Sequence, residues 1–520
     1  MPQQDYMGSS RSTRRLPRPS VIAVFILFAL ASSVIQMLLH LHHLSTKGHM
    51  DHEVIDVLLK MTESSQSPST SSVSRPKLPQ WIQDYVKWHK EMRAKFPGSK
   101  IFTDPDSPGV ILRWCGGLCG GLHDRLGQLP LDLYLANQTR RVLFLKWEKP
   151  HALELFLIPP LSSELYLDWR FPEGVPNWAY VKPGEINMIK TKKNIDHVQN
   201  LPGIGNSGTE NFDQTMEQFL IKCAPGGELH NEPLVVLRML GHLNENYLES
   251  KLIELGESDT IHSTPTFGNI WHMFFQPSPP ILAKLDQIMN EELHLQKRNY
   301  TAVHCRVRHP KAYKSGTHVH GRYDGTTADK TGLPFGAGPV RDMAVQTAIH
   351  ALKCASTQIP PRNGKGITSP LVNKDEIYYF MSDSNDLVEL MVRDIKNAKF
   401  ISKHPSMDIG QDSGSIYQEA HKISLALNIR SRDNSQFNSH IDKNKGKELE
   451  EYYGTFIDLY LAMYSRCIAF GIGFYAVFAA KIGGITDCKI QYAKEEWGLY
   501  ETAAKPSINI CKSEMYAGLF

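Results

Sequence analysis

The chain has 520 residues, of which 41% are hydrophobic and 21% charged, a composition typical of a globular protein with two or three domains. A formal net charge of +3 and the lack of a basic aromatic patch give no sign of a nucleic-acid partner, and none is expected. Eight cysteines in 520 residues are too few for a disulfide scaffold, although they are even in number, and the sequence leaves open which of them pair.

The first 80 residues predict a membrane anchor followed by a stem. Residues 21–39 contain no charged side chain and are just long enough to span a hydrocarbon core. Residues 1–20 carry four arginines, so the positive-inside rule makes them a cytosolic tail and places the rest of the chain in a lumen. A cleaved signal peptide is the alternative to the anchor. Residues 40–80, rich in Ser, Thr and Pro toward their end, predict an extended stem.

Residues 81–280 predict the first of two Rossmann-like α/β domains. A glycine-rich loop precedes apolar residues at helical spacing from Leu126 to Ala136, and a strand is predicted over residues 142–145. Glycine lets a ligand approach the backbone closely, and the candidate residues of this loop are Gly120, Gly121 and Arg125. Cys115 and Cys119 have no second pair at zinc spacing, so structural thiols or a disulfide are favoured over a metal site.

The remainder of this half gives weaker signals. Residues 153–228 hold many Pro, Gly and Asn residues and predict loops and short elements, whereas residues 234–240 predict a strand. Asp104 and Asp106 form a D-x-D within TDPDSPG, where turn formation is favoured over metal binding. A helix over residues 281–293 then opens the second domain, residues 281–520.

The second domain centres on a predicted strand over residues 301–310, TAVHCRVRHP. Side chains alternate along a strand, so His304, Arg306 and Arg308 share one face, opposite an apolar face. Arginine donates to phosphate in a planar, bidentate manner, and open α/β sheets bind ligands at the carboxyl ends of their strands. The alternative is a strand that ends in solvent with charged residues.

Two further predicted strands of this domain end in ligand-type residues. Residues 376–381 precede Asp383 and Ser384, and residues 467–470 precede Gly471, Gly473 and Phe474. The order strand, turn, helix repeats here and predicts a parallel sheet, whose strand ends lie along one edge. Asp383 and Ser384 are predicted to bind a nucleoside, and the helix that begins after the glycines is predicted to attract phosphates. The alternatives are helix capping for the first pair and close packing for the glycines.

Two glycosylation sequons occur, at Asn137-Gln138-Thr139 and Asn299-Tyr300-Thr301. In a lumenal protein either asparagine is a candidate for modification. Both precede predicted strands, so partial burial is expected to protect them.

Four segments between about residues 116 and 484 together resemble the GDP-fucose-dependent fucosyltransferase superfamily of protein O-fucosyltransferases, α1,6-fucosyltransferases and nodulation fucosyltransferases. They are GGLHDRLGQLPLDLYLANQTRRVLFLKW, VHCRVRHP, YYFMSDSND and FIDLYLAMYSRCIAFGIGFYAVFAAKIGG. The resemblance implies a GT-B fold of two facing Rossmann-like domains, with the nucleotide sugar in the C-terminal one and no metal or other cofactor. Arg306 occupies the position of the arginine that holds the donor diphosphate in this family.

The resemblance also implies an activity: transfer of fucose from GDP-fucose to a glycan or protein hydroxyl, with inversion. Arg306 and helix N-termini would stabilise the departing diphosphate. Asp342 is the candidate general base, although a carboxylate favoured by the dipole of a helix N-terminus is the alternative. The expected location is a Golgi or endoplasmic-reticulum membrane, as a single-pass type II enzyme. A transferase for another nucleotide sugar and an inactive, membrane-anchored glycan-binding protein are the alternative functions.

Overall fold

The computed structural model describes residues 78–115, 119–147, 149–172, 198–201, 209–232, 234–239, 264–306, 339–359, 376–397, 413–433, 441, 448–494 and 508–514. These all belong to one compact unit, Arg75–Phe520. The predicted cytosolic tail, membrane span and nearly all of the stem lie outside the described residues. No helix among the described residues has both the length and the apolar character needed to cross a membrane.

The elements follow one another in α/β order. The strands are β1 Val110–Cys115, β2 Val142–Trp147, β3 Leu157–Ile158, β4 Val198–Leu201, β5 Leu234–Met239, β6 Gln276–Pro277, β7 Tyr300–Cys305, β8 Ile377–Ser382, β9 Asn428–Arg430, β10 Cys467–Phe470, β11 Lys489–Lys494 and β12 Ile508–Glu514. The helices are α1 Gln80–Lys95, α2 Lys100–Thr103, α3 Leu122–Leu126, α4 Leu129–Gln138, α5 Thr209–Cys223, α6 Thr264–Phe274, α7 Pro279–Gln287, α8 Pro339–Gln358, α9 Asn385–Val392, α10 Ser413–Ala426, α11 Tyr453–Met463 and α12 Tyr475–Gly483.

The first sheet has four parallel strands in the order β2-β1-β5-β4. Its strand β1 is buried on both faces, with Val110, Leu112 and Trp114 in one hydrophobic cluster and Ile111 and Cys115 in another. Helices cover both faces of such a parallel sheet, and the apolar run that results lacks the alternation of a half-exposed strand. The predicted strands at β2 and β5 are confirmed.

The second sheet has six strands in the order β12-β11-β10-β7-β8-β9, of which β12 alone is antiparallel to its neighbour. Tyr300 and Ala302 of β7 pack in the cluster that contains α11 and α12, whereas Val303 and Cys305 pack in the cluster that contains α8 and α10. This sheet is therefore also covered by helices on both faces. The prediction of a mixed α/β fold with parallel sheets is confirmed.

The strand predicted over residues 301–310 is shorter in the structure. β7 ends at Cys305, which pairs with the last residue of β8, and His304 pairs with the last residue of β10. Neither neighbouring strand extends beyond these pairs, so Arg306 follows the strand and does not lie within it. Arg308 lies outside the described residues.

Three other predicted elements differ from the structure. The expectation of loops and short elements over residues 153–228 is wrong, because α5 occupies Thr209–Cys223 and buries Met216 and Phe219. The helix after the glycine loop is divided in two, at Gly127 and Gln128, between α3 and α4. The helix expected over residues 281–293 ends as an α-helix at Gln287 and continues as a π-helical turn, Ile288–Glu292.

Three disulfides join six of the cysteines. Cys115–Cys119 closes the glycine loop, so of the two alternatives left open for this pair the structure has the disulfide. Cys354–Cys511 joins α8 to β12, and Cys467–Cys488 joins β10 to the residue before β11. Cys223 and Cys305 are buried free thiols. The hydrophobic cluster that contains α11 and α12 also includes residues of the first sheet, so the predicted domain boundary near residue 280 stays a prediction.

Candidate functional site

The three strand ends singled out in the sequence lie side by side. β7 is paired in parallel with β10 on one side and with β8 on the other. In register, His304 lies opposite Phe470, and Cys305 lies opposite Ser382. The segments that begin with Arg306, Asp383 and Gly471 therefore leave one edge of the sheet at the same level.

Arg306 lies directly against the glycine turn that follows β10. A Cβ placed on Gly473 would lie 2.1 Å from Arg306 Nη1 and 3.0 Å from its Cδ, and Gly473 has a φ of +86°. Both the backbone conformation and the guanidinium therefore require glycine at this position. Arg306 is half-buried, and in the described part of the chain no side chain forms an ion pair or hydrogen bond with its guanidinium.

The turn after β10 leads into a helix whose first N–H groups have no side-chain cap. α12 begins at Tyr475, and Phe474 at its N-cap position supplies no acceptor. The free amide groups at such a helix start favour a bound anion. Gly471 has a different reason to be glycine, because a Cβ there would lie 2.6 Å from the ring of Tyr492. The close-packing alternative thus applies to Gly471, whereas Gly473 adjoins Arg306.

His304 contributes a buried imidazole to this edge. It is 6% exposed, its ring centre lies 5.2 Å from that of Tyr475, and its Nδ1 has no hydrogen-bond partner among the described residues. Burial lowers the pKa of His304 to about 4, Asp383 opposes that shift, and Arg306 adds to it. The ring is therefore neutral at pH 7, with one nitrogen that donates and one that accepts.

Asp383 and Ser384 have different surroundings. Ser384 is fully buried, and its Oγ accepts a hydrogen bond of 3.4 Å from the backbone N–H of Leu387 at the start of α9. Ser384 is therefore the N-cap of α9, as the helix-capping alternative predicted for this residue. Asp383 is half-buried, and its charge acts on His304.

A buried polar network lies beside His304 and was not found in the sequence. Asp458 of α11 accepts hydrogen bonds of 2.5 Å from the Tyr379 hydroxyl and 2.7 Å from Arg432 Nε. Asp458 and Arg432 side chains are each 3% exposed. The signal in the sequence was a single carboxylate within the otherwise apolar run FIDLYLAM, since a buried carboxylate requires a partner.

The glycine loop of the first sheet meets the turn after β10. The ring of His123 stacks on Phe474, with centres 5.0 Å apart and an interplanar angle of 16°. Within the loop, Gly120 has a φ of +80°, and the Gly121 N–H donates to an Asp124 carboxylate oxygen at 2.7 Å. Arg125 Nε donates to the Gly120 carbonyl at 2.9 Å, so Arg125 holds the shape of the loop. Phe474 remains 42% exposed.

The candidate general base and the two candidate glycosylation sites lie elsewhere in the chain. Asp342 lies near the start of α8, and its side chain is outside the description. Asn137 is half-buried near the end of α4, and Asn299 is half-buried just before β7. The Asn299 sequon includes Thr301, which is fully buried and donates a hydrogen bond of 2.6 Å to Glu376.

The D-x-D motif forms a turn, as expected. The backbone N–H of Asp106 donates to Asp104 Oδ1 at 3.0 Å. Across the described residues, no group of three His, Cys, Asp or Glu side chains is arranged to hold a metal ion.

Comparison with known proteins gives one kind of match. No family model and no curated protein sequence matches the chain. Among solved structures, the chain is similar to a point mutant of Arabidopsis thaliana FUT1, a plant fucosyltransferase, in complex with GDP. The two are 13% identical, with a TM-score of 0.45, over 83% of this chain and 86% of the other.

Proposed function

We propose that this chain is a glycosyltransferase that transfers fucose from GDP-fucose to a hydroxyl of a glycan or glycoprotein, with inversion. The observation that carries the proposal is the placement of Arg306 against Gly473 at the carboxyl edge of the second sheet. The guanidinium has no anionic partner in the described part of the chain, and the uncapped start of α12 lies next to the same turn. Both features suit a diphosphate.

In the proposed reaction the acceptor oxygen attacks the anomeric carbon of fucose from the side opposite the diphosphate. The new C–O bond forms as the bond to the diphosphate oxygen breaks, so GDP leaves with the bonding electron pair and its negative charge. Arg306 and the α12 N–H groups stabilise that charge, and this is the largest contribution expected. Asp342 is proposed to take the proton of the acceptor hydroxyl.

The neighbouring polar groups suit the nucleoside part of the donor. His304 is neutral and has an unpartnered Nδ1 among the described residues, with the Asp383 charge close to it. A buried polar atom without a partner is unfavourable until a ligand satisfies it. Arg306 provides the positive charge that a metal would otherwise supply, so the proposal includes no metal ion.

The proposed location is the lumen of the Golgi or endoplasmic reticulum. Three disulfides in one chain support an oxidising compartment. The predicted span at residues 21–39 and the arginines before it support a type II membrane anchor.

The test is calorimetric binding of GDP, GDP-fucose, GDP-mannose and UDP-sugars to the full-length chain. We expect GDP and GDP-fucose to bind, and Arg306→Ala to abolish that binding while the chain stays folded. Arg393→Ala is the matched control, because Arg393 is 41% exposed and pairs with Glu389 on the surface of α9. Selective binding of another nucleotide sugar would favour a different donor. No nucleotide binding by the folded chain would refute the transferase and leave the glycan-binding alternative.

A further inference from the structure

Tyr492 of β11 contacts the end of β7, just before Arg306, and the first residue of the glycine turn after β10. The side chain is 1% exposed, and its hydroxyl donates a hydrogen bond of 2.7 Å to the His304 carbonyl oxygen, at the end of β7. Burial and the Cys305 thiol raise the pKa of Tyr492, whereas the backbone N–H of Arg306 also acts on this hydroxyl and lowers its pKa. The net effect raises the pKa of Tyr492, so the hydroxyl stays protonated and can donate.

The path of this side chain explains the glycine at position 471. In the sheet order β11-β10-β7, Tyr492 and His304 are two strands apart, and β10 lies between them. Adjacent strands are roughly 4.8 Å apart, so the tyrosine must cross roughly 9.6 Å to reach β7. It does so over Gly471, where a Cβ would lie 2.6 Å from its ring. A side chain at position 471 would block that path.

We propose that Tyr492 is a positioning residue that holds Arg306 in place against the glycine turn. Its hydroxyl holds the His304 carbonyl, two residues before Arg306, and its ring supports the start of the turn that contains Gly473. The consequence for donor binding rests on the proposed function. The positioning itself is a property of the protein without any ligand.

The experiment compares Tyr492→Phe with Tyr300→Phe. Each variant loses one buried hydroxyl and keeps its ring, but the Tyr300 hydroxyl donates to the Leu461 carbonyl, away from Arg306. The first measurement is hydrogen exchange at the Arg306 amide in the full-length chain without nucleotide. We expect faster exchange in Tyr492→Phe and none of that change in Tyr300→Phe. The second measurement is GDP affinity, which we expect to fall roughly tenfold in Tyr492→Phe only, about the value of one hydrogen bond.

The two measurements separate the possible failures. Unchanged exchange at Arg306 in Tyr492→Phe overturns the proposal, whether or not the wild-type chain binds GDP. If the wild-type chain does not bind GDP, the proposed function fails and the exchange result still decides the positioning role. Faster exchange with unchanged GDP affinity overturns the link to donor binding. Should Tyr492→Phe fail to fold, Gly471→Ala displaces the ring instead, and unchanged exchange at Arg306 there overturns the proposal.

Discussion

Replacing Gly473 with alanine perturbs the contact on which the proposed function depends. The new methyl carbon would lie 2.1 Å from Arg306 Nη1. Non-bonded heavy atoms prefer a separation of about 3.5 Å, so the guanidinium must move by more than about 1 Å. The φ of +86° at Gly473 adds a backbone cost of roughly 1–2 kcal/mol for a residue with a Cβ.

The displacement has a predictable effect on GDP binding. A hydrogen bond to a charged group contributes about 1.5–3 kcal/mol, and each 1.4 kcal/mol corresponds to about tenfold in affinity. If Arg306 binds the diphosphate, we therefore expect Gly473→Ala to weaken GDP binding by roughly 10- to 100-fold. Isothermal titration calorimetry measures the affinity, and urea unfolding measures the accompanying loss of stability.

Gly226→Ala is the matched control for this variant. Gly226 has a φ of +83°, and no atom lies within 4 Å of the position that its Cβ would take. Both variants carry the same backbone strain, so both should lose about the same stability, but only Gly473→Ala displaces Arg306. Equal GDP affinity in the two variants would refute the assignment of Arg306 as a phosphate ligand held by Gly473.

Two further predictions concern buried carboxylates. Asp458→Asn leaves the charge of Arg432 buried without a counter-charge, so we expect a loss of about 3–5 kcal/mol in urea unfolding, and a loss below about 1 kcal/mol would contradict this. Burial raises the pKa of Asp132 to about 6 from 3.8, against the opposing effect of Arg113. The folded chain therefore binds a proton that the unfolded chain releases, and the stability this carboxyl contributes is largest below pH 4 and falls as the pH rises through 6. Relative to Asp132→Asn, the unfolding free energy of the wild-type chain should fall by roughly 3 kcal/mol over that range, and a difference independent of pH would contradict this.

Strands β8 and β10 of the second sheet were predictable because each is a buried apolar run that ends in residues unable to continue it. β10 has the predicted bounds, Cys467–Phe470, and β8 is displaced by one residue. The length of β7 was not predictable, because its end is set by the length of the neighbouring strands. Its own sequence continues to alternate through Val307 and Arg308, and nothing local marks the end.

The missed helix α5 shows a different limit. From residue 216 onward its buried apolar residues are Met216, Phe219 and Cys223, whereas Ile221 is 67% exposed. An apolar stripe this narrow gives little periodic signal in a region rich in Pro, Gly and Asn. This helix is stabilised by the tertiary packing of a few side chains, because it has no long amphipathic pattern.

Residues of the candidate site were predictable only where the neighbouring sequence alone indicates a ligand-binding role. Arg306 and Gly473 were recognisable in their own segments, one as a charged strand end and the other as a glycine turn before a helix. Tyr492 was not, because its contact with His304 joins residues 188 positions apart and depends on the lateral order of three strands. The sequence determines that order through the whole fold and not through any local motif.

The polar side chains that follow the glycines of the first loop and those at the edge of the second sheet have different partners. In the glycine loop of the first sheet, Arg125 donates to the loop backbone and an Asp124 oxygen accepts from it, so these groups maintain the loop itself. At the edge of the second sheet, the guanidinium of Arg306 and the Nδ1 of His304 have no such partner in the described part of the chain. Because an unpaired buried polar group is unfavourable, an anionic, hydrogen-bonding ligand gains most at this second edge. We therefore expect the nucleotide of the proposed donor at this edge of the second sheet.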